Sequence, residues 1–201
     1  SNNKKTLINQ SDKKIYKIMI VSSHESEEEI IINNIKSIIL NKKLKLCIAP
    51  RHPERVNDVS KLLSKYNLSY CLGSEDNKLE NDVTIINKFG DLDTYFDKSE
   101  IAILGGSFIN KGGHNPLEPA KFGCAIITGH HIFNWQNLYD DMNKDKACII
   151  IENISDLKEI ISDFLSNKTM LESSKKKALD FSNKKFFDVD TLFEEINLVL
   201  Y

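Results

Sequence analysis

The chain has 201 residues, of which 41% are hydrophobic and 28% are charged, as in ordinary globular proteins and unlike disordered, collagenous or coiled-coil ones. Its formal net charge of −2 gives no long-range attraction to nucleic acid or anionic lipid, so we expect no nucleic acid partner. No uncharged run approaches the roughly 18 apolar residues that cross a bilayer, and we expect no membrane span within this chain.

The cysteines and histidines do not have the spacing of a metal site. The four cysteines form no C-x-x-C pair, which is typical neither of zinc sites nor of disulfide-rich domains. Asp91 and Asp93 are explained by the positive end of a short helix. We therefore predict no metal and no cofactor. We expect buried, reduced thiols at Cys47, Cys71, Cys124 and Cys148.

Residues 1–14 are polar and aperiodic, which is typical of a tail or a linker remnant, and residues 15–201 are predicted to form one domain. Apolar runs alternate there with amphipathic stretches. Strands are predicted at residues 15–21, 44–49, 83–86, 101–104, 125–128 and 147–151. Helices are predicted at residues 25–40, 53–66, 116–122, 134–142 and 155–165, and from residue 168 onward.

This alternation predicts an α/β domain with a Rossmann-like, doubly wound parallel sheet, because parallel neighbours need crossover connections. Ligands bind such sheets beyond the carboxyl ends of the strands. The loop after the first strand, residues 22–26, lacks the G-x-G-x-x-G pattern of dinucleotide-binding proteins, so NAD and FAD are not expected. We assign the acidic residues around it to the positive end of the first helix: Glu25, Glu27, Glu28 and Glu29.

The chain has only two arginines, Arg51 and Arg55, among 27 basic residues. Both follow the second predicted strand, beside a helix that Pro53 begins. A guanidinium presents a planar fork of donors that matches phosphate oxygens, so this placement favours an anion site. The alternative is a solvent-exposed pair of arginines around Glu54.

A glycine-rich loop follows the strand at residues 101–104. Four of the eight glycines lie between residues 105 and 113, and glycine permits close approach of the backbone to a ligand. Asn115, Pro116 and Glu118 are predicted at positions N-cap, N1 and N3 of the next helix. A capping box would explain that arrangement without any ligand.

Four motifs together resemble the C-terminal half of 3-deoxy-D-manno-octulosonic acid (Kdo) transferases. The motifs are IAPRHPER (residues 48–55), FGDL (89–92), GGSFINKGGHNPLEPA (105–120) and ITGHHIFNWQ (127–136). The resemblance implies a GT-B glycosyltransferase, in which this domain binds CMP-Kdo and lipid A or its precursor is the acceptor. It also implies the cytoplasmic face of a bacterial inner membrane as the location.

The same resemblance implies the residues that bind the donor. Pro50 and Arg51 would contact the CMP moiety, and Phe89, Gly90 and Asp91 would line it. Residues 115–118 would hold phosphate and ribose. The implied set is Pro50, Arg51, Phe89, Gly90, Asp91, Gly105, Gly106, Ser107, Asn115, Pro116, Leu117 and Glu118.

Three features depart from the family pattern. The family reads S-T-H-x-G-E-E where this chain has Ser23 for the threonine and Ser26 for the glycine, and it reads G-E-L where this chain has Asp91. The family's general base lies in an N-terminal domain outside these residues, so we expect no catalytic residue and no turnover from the chain alone. Two alternatives remain: another GT-B domain that binds a UDP-sugar, as a transferase or an epimerase, and a non-catalytic nucleotide-binding remnant.

Overall fold

The computed structural model describes residues 16–42, 44–73, 81–88, 90 and 92–199. The predicted tail at residues 1–14 lies outside the described residues, as do Phe89 and Asp91. Within these described residues, seven parallel strands form one sheet in the order β3-β4-β2-β1-β5-β6-β7. The strands are β1 (Tyr16–Ser23), β2 (Leu46–Pro50), β3 (Tyr70–Leu72), β4 (Val83–Ile85), β5 (Ser99–Leu104), β6 (Ala125–Gly129) and β7 (Cys148–Ile151).

Helices connect most of these strands, as parallel neighbours require. They are α1 (Glu27–Lys42), α2 (Val56–Lys65), α3 (Asp93–Phe96), α4 (Leu117–Lys121), α5 (Gln136–Lys144), α6 (Asp156–Ser166) and α7 (Lys168–Val199), and a 3-10 turn at Pro53–Arg55 precedes α2. The predicted doubly wound α/β fold is confirmed.

Helices cover both faces of the sheet, and alternate residues of each strand enter different cores. On one face, Ile18 and Ile20 of β1 pack in a core with α1, α2 and α6. On the other face, Met19 and Val21 pack in a core with α3, α4, α5 and α7. Because both faces of the central strands are buried, these strands are mostly apolar, and this pattern made them predictable.

Strand order reverses between β1 and β5, and this is the feature that positions the site. Ile20 of β1 lies opposite Ile48 of β2 on one side and opposite Ile103 of β5 on the other. In doubly wound sheets a crevice opens outside the carboxyl ends of the strands at such a switch point. The loops that begin after Ser23 and Leu104 therefore form its walls.

Several local features differ from the prediction. Strand β3 (Tyr70–Leu72) was not predicted; it has three residues at the sheet edge and is half-buried to exposed. Helix α4 begins at Leu117, so Pro116 is its N-cap and not its first helical residue. Three cysteines are buried as expected, whereas Cys71 is only half-buried. Within the described ranges, no helix is long and apolar enough to cross a membrane.

Candidate functional site

The glycine loop begins in close contact with the end of β1. The Gly105 amide donates to the Val21 carbonyl at 2.8 Å, which extends the sheet by one rung. A Cβ on Gly105 would lie 2.5 Å from the Ser22 oxygen and 2.7 Å from the Ser23 Cα, both backbone atoms. Since no side chain fits there, glycine is required for the two walls of the crevice to approach this closely.

The buried carboxylate of Glu27 holds this loop in place. Oε2 accepts from the Gly106 amide at 2.7 Å and from the His24 amide at 3.2 Å, and Oε1 accepts from the Ser107 and Phe108 amides at 3.1 and 3.0 Å. Burial raises the pKa of the Glu27 carboxyl, while these four N–H bonds oppose the rise. Glu27 thus ties α1 to the loop after β5.

Ser107 continues the same buried network. Its hydroxyl donates to the Leu104 carbonyl at 2.6 Å and accepts from the Gly129 amide at 2.8 Å, at the end of β6. Gly105, Gly106 and Ser107 are all buried, and their amides already have acceptors inside the fold. The structure therefore gives these three residues a shaping role at the base of the crevice.

The two arginines have different environments. Arg55 donates to both oxygens of Glu28, at 2.6 and 3.3 Å, and the Ser23 hydroxyl donates to Oε1 of Glu28 at 2.9 Å. Glu28 is only 1% exposed, so this ion pair is part of the fold. Arg51 is exposed, and its amide donates to the Ser23 carbonyl at 2.9 Å, beside the crevice. Within the described part of the chain, Arg51 forms no ion pair.

An open pocket lies where β1, β2 and β4 end. Its wall includes Ser22, Pro50, Arg51, Lys88 and Gly90. Pro50 is buried at the end of β2, whereas Gly90 is exposed and adopts a φ of 108°. Two cationic side chains over a partly apolar wall suit a flat, uncharged ring carrying an anionic group.

Residues 115–118 begin helix α4 on the other wall. The Asn115 side-chain oxygen accepts from the Leu117 amide at 3.0 Å. Asn115 therefore caps the turn that precedes the helix, one residue before the N-cap position, which Pro116 occupies. Pro116 is buried and Leu117 is half-buried. Glu118 is exposed in the first turn of α4. The capping box that was the alternative explanation for Asn115 and Glu118 is absent among the described residues.

Two histidines face each other across the crevice. Nε2 of His24 lies 3.1 Å from Nε2 of His114, and the rings are nearly parallel with centroids 5.4 Å apart. Burial, then Lys111 and His52, lower the pKa of His24. Burial, then His24 and Arg51, lower the pKa of His114 to about 4. Both rings are therefore neutral near pH 7, and one donates to the other.

The described residues of the predicted set lie at one edge of the sheet. Arg51 contacts the end of β1, and the glycine loop contacts the same residues from the other side. Phe89 and Asp91 lie outside the described residues. Sequence analysis did not single out Glu27, Glu28 or His24 as site residues.

A usable signal for the two glutamates was their spacing. Glu27 and Glu28 precede Ile31, Ile32 and Ile35 by helical steps, so they lie on the buried face of α1. In the described part of the chain, no three metal-binding side chains are grouped so that they could hold an ion.

No protein-family model matches the chain. Curated relatives do: it is 33% identical over 156 residues to the 3-deoxy-D-manno-octulosonic acid transferase of Haemophilus influenzae, covering 75% of this chain and 36% of that protein. Against the same enzyme of Rickettsia prowazekii it is 31% identical over 206 residues, covering 92% of this chain and 44% of that protein. The chain thus spans less than half the length of these relatives.

Among solved structures, the C-terminal CMP-Kdo binding domain of WaaA from Acinetobacter baumannii superimposes with a TM-score of 0.77 at 25% identity. The alignment covers 84% of this chain and 90% of that domain. The sheet is accordingly that of the C-terminal, Rossmann-like half of a GT-B glycosyltransferase. Sequence and fold agree that the chain belongs to the Kdo transferase family, in which it corresponds to the C-terminal domain.

Proposed function

We propose that this chain is the donor-binding domain of a Kdo transferase and that it binds CMP-Kdo in the crevice between β1 and β5. The observation that carries the proposal is the position of Arg51. Its guanidinium is exposed at the pocket, whereas the neighbouring Arg55 is bound to Glu28. One arginine is thus left available for the single phosphate of CMP.

The other groups of the pocket complement this contact. Lys88 adds a second positive charge, Pro50 supplies an apolar wall for the base, and the exposed backbone of Gly90 can be approached closely. Glu118 does not line this pocket; it is exposed at the start of α4, where it can accept hydrogen bonds from ribose hydroxyls. Charge-assisted bonds of this kind, placed where the phosphate gains charge as the glycosidic bond breaks, stabilise the leaving group.

In the complete enzyme, this domain would deliver Kdo to a lipid A precursor held by an N-terminal domain, at the cytoplasmic face of the inner membrane. The chain supplies stabilisation of the leaving group, whereas the acceptor and the general base would come from the other domain. Without an aligned acceptor hydroxyl and a general base, the rate acceleration that comes from holding the reacting groups together is missing. We therefore expect the isolated chain to bind CMP but not to transfer Kdo.

Calorimetric titration with CMP tests this proposal. We expect Arg51→Ala to weaken CMP binding by about 10- to 100-fold, the equivalent of a hydrogen bond to a charged group. Lys61→Ala, which removes an exposed positive charge from α2, is the matched control and should bind CMP as the parent does. UMP and UDP are titrated in parallel.

Tighter binding of the uridine nucleotides would favour a UDP-sugar domain instead. No binding of any nucleotide by the parent protein would contradict the proposal and favour a non-catalytic remnant.

A further inference from the structure

The facing histidines are not accounted for by the hydrogen-bond network that shapes the crevice. His24 and His114 are half-buried, and their ring nitrogens meet at 3.1 Å. Gly106, with a φ of 68°, lies directly beside them: a Cβ there would come within 3.2 Å of His114 Nε2 and 3.5 Å of His24 Cδ2. The glycine loop thus leaves space for two stacked imidazoles at the switch point.

The charged groups around this pair are mostly basic. Arg51 and His52 face it from the loop after β2, and the His52 ring lies 6.3 Å from that of His24. Lys111 faces it from the glycine loop. Positive charge is therefore concentrated around two neutral imidazoles.

The nearest carboxylates belong to α1, and both are already engaged. Glu28 is bound to Arg55 and Ser23. Glu27 accepts four backbone amides, including that of His24. Neither forms an ion pair with His24 or His114 in the described part of the chain, although the charge of Glu28 acts on His24 and exposed Glu54 lies 3.7 Å from His52, so Arg51 and Lys111 leave a local excess of positive charge that is only partly compensated. That is the electrostatic signature of an anion site.

We propose that His24 and His114 form a proton-linked phosphate site: the pair takes up one proton from solvent when the phosphate of the nucleotide binds, and the resulting imidazolium pairs with that phosphate. This inference rests on the proposed function and adds the residues and the proton that accompany binding. In the free protein the pair shares one N–H between its Nε2 atoms. The proton adds to the accepting Nε2, the hydrogen bond between the two rings is lost, and both Nε2–H groups can then donate to phosphate oxygens.

The direction of the proton movement follows from the charges. Without ligand, burial and the surrounding cations hold the pKa of His114 at about 4 and lower that of His24. A phosphate monoester carries about 1.5–2 negative charges at neutral pH, and an opposite charge at close range moves a pKa by about 1–3 units toward the charged form. Phosphate binding therefore raises the pKa of the pair toward neutrality.

Titration calorimetry in buffers of different ionisation enthalpy measures this proton directly. At about pH 6.5, the ordinary pKa of histidine, we expect CMP binding to take up a net fraction of a proton, because the uptake by the pair exceeds the release from the phosphate, whose own second pKa is about 6. Cytidine, which lacks the phosphate, should bind without uptake. A phosphate that merely lost its own proton on binding to cations would give the opposite sign, proton release.

Variants assign the proton to the pair. His24→Gln and His114→Gln should still bind CMP, more weakly, and without proton uptake. His130→Gln removes an exposed histidine whose ring packs at a tilt against that of His131, outside the cluster, and should keep the proton uptake of the parent. If the variants fail to fold, ¹⁵N signals of the histidine rings in the parent protein should move to protonated positions when CMP is added.

The outcomes separate this inference from the proposed function. If CMP binds without proton uptake, or with proton release, the histidine pair is not the phosphate site. The proposed function as a donor-binding domain would still stand. Uptake that persists in both variants overturns the histidine pair equally. Absence of CMP binding by the parent protein overturns the proposed function and this inference together.

Discussion

Replacing Glu27 with glutamine tests the role of the buried carboxylate. The two side chains have nearly the same shape, so Glu27→Gln creates no cavity. The amide nitrogen cannot accept hydrogen bonds, however, and whichever oxygen it replaces faced two backbone N–H groups: Ser107 and Phe108 at Oε1, or Gly106 and His24 at Oε2. One buried donor, Gly106 or Ser107, and one half-buried donor, His24 or Phe108, would therefore lose their acceptor.

The magnitude follows from those two donors. A buried donor left without a partner costs about 1–3 kcal/mol, so we expect Glu27→Gln to lower the free energy of unfolding by about 2–6 kcal/mol. That is a large part of the roughly 5–15 kcal/mol that stabilises a typical domain. The loss should be local in origin, because the cores on both faces of the sheet are untouched.

Urea unfolding followed by circular dichroism measures the effect, with the slope of free energy on urea concentration as a check that the unfolded states are comparable. Glu29→Gln is the matched control. It makes the same chemical change on the same helix, at a carboxylate paired with Lys65 on the surface, and should change stability little. If the two variants are equally stable, the network around Glu27 does not hold the loop.

Three further changes have distinct expected outcomes. Arg55→Ala leaves the buried Glu28 without its cation and should lower the unfolding free energy in urea by about 3–5 kcal/mol, while Arg51→Ala should leave it nearly unchanged; equal losses would contradict the division between the arginines. Ser26 has a φ of 69°, so Ser26→Gly should raise stability by about 1 kcal/mol, seen as a higher Tm, and Ser26→Ala should not. Burial holds the pKa of His114 in the folded protein at about 4, below the ordinary histidine pKa of about 6.5, so the unfolded chain binds more protons between these values and stability falls as pH falls through that window. His114→Gln should reduce this fall by about 1–2 kcal/mol, and pH curves parallel to the parent's would refute the assignment.

The parts of the fold that could be predicted are those where a buried pattern is long. Strands of the central sheet are apolar on both faces, so β1, β2 and β5 to β7 were located to within a few residues. Strand β3 (Tyr70–Leu72) was not predicted, because its three residues at an exposed edge show neither an alternation of polar and apolar residues nor an apolar run. The predicted start of α4 is one residue too early, because Asn115 caps a turn before the helix. The residue spacing does not distinguish such a turn from an N-cap.

For the site, the sequence located loops but not the partners of individual side chains. The two arginines are four residues apart in one loop, yet only the structure shows that Glu28, 27 residues earlier than Arg55, binds one and leaves the other exposed. The helix dipole explained Glu27 at the level of the sequence, because it accounts for acidic residues in the first turn of any helix. Its bonds to Gly106 and Ser107 join residues about 80 positions apart, and no local pattern encodes such a contact.

The bonds from Glu27 to the glycine loop also affect how a ligand would be received. Strands β1 and β5 are neighbours in the sheet but are not consecutive in the chain. They are therefore held together by the hydrogen bonds between the two strands and by the bonds from Glu27 to the glycine loop. Because these bonds already fix the glycine loop, the loop loses little conformational entropy when a ligand binds against it. We expect the amides of Gly106, Ser107 and Phe108 to be among the slowest to exchange with deuterium, with or without nucleotide, because only opening of the whole domain would free them.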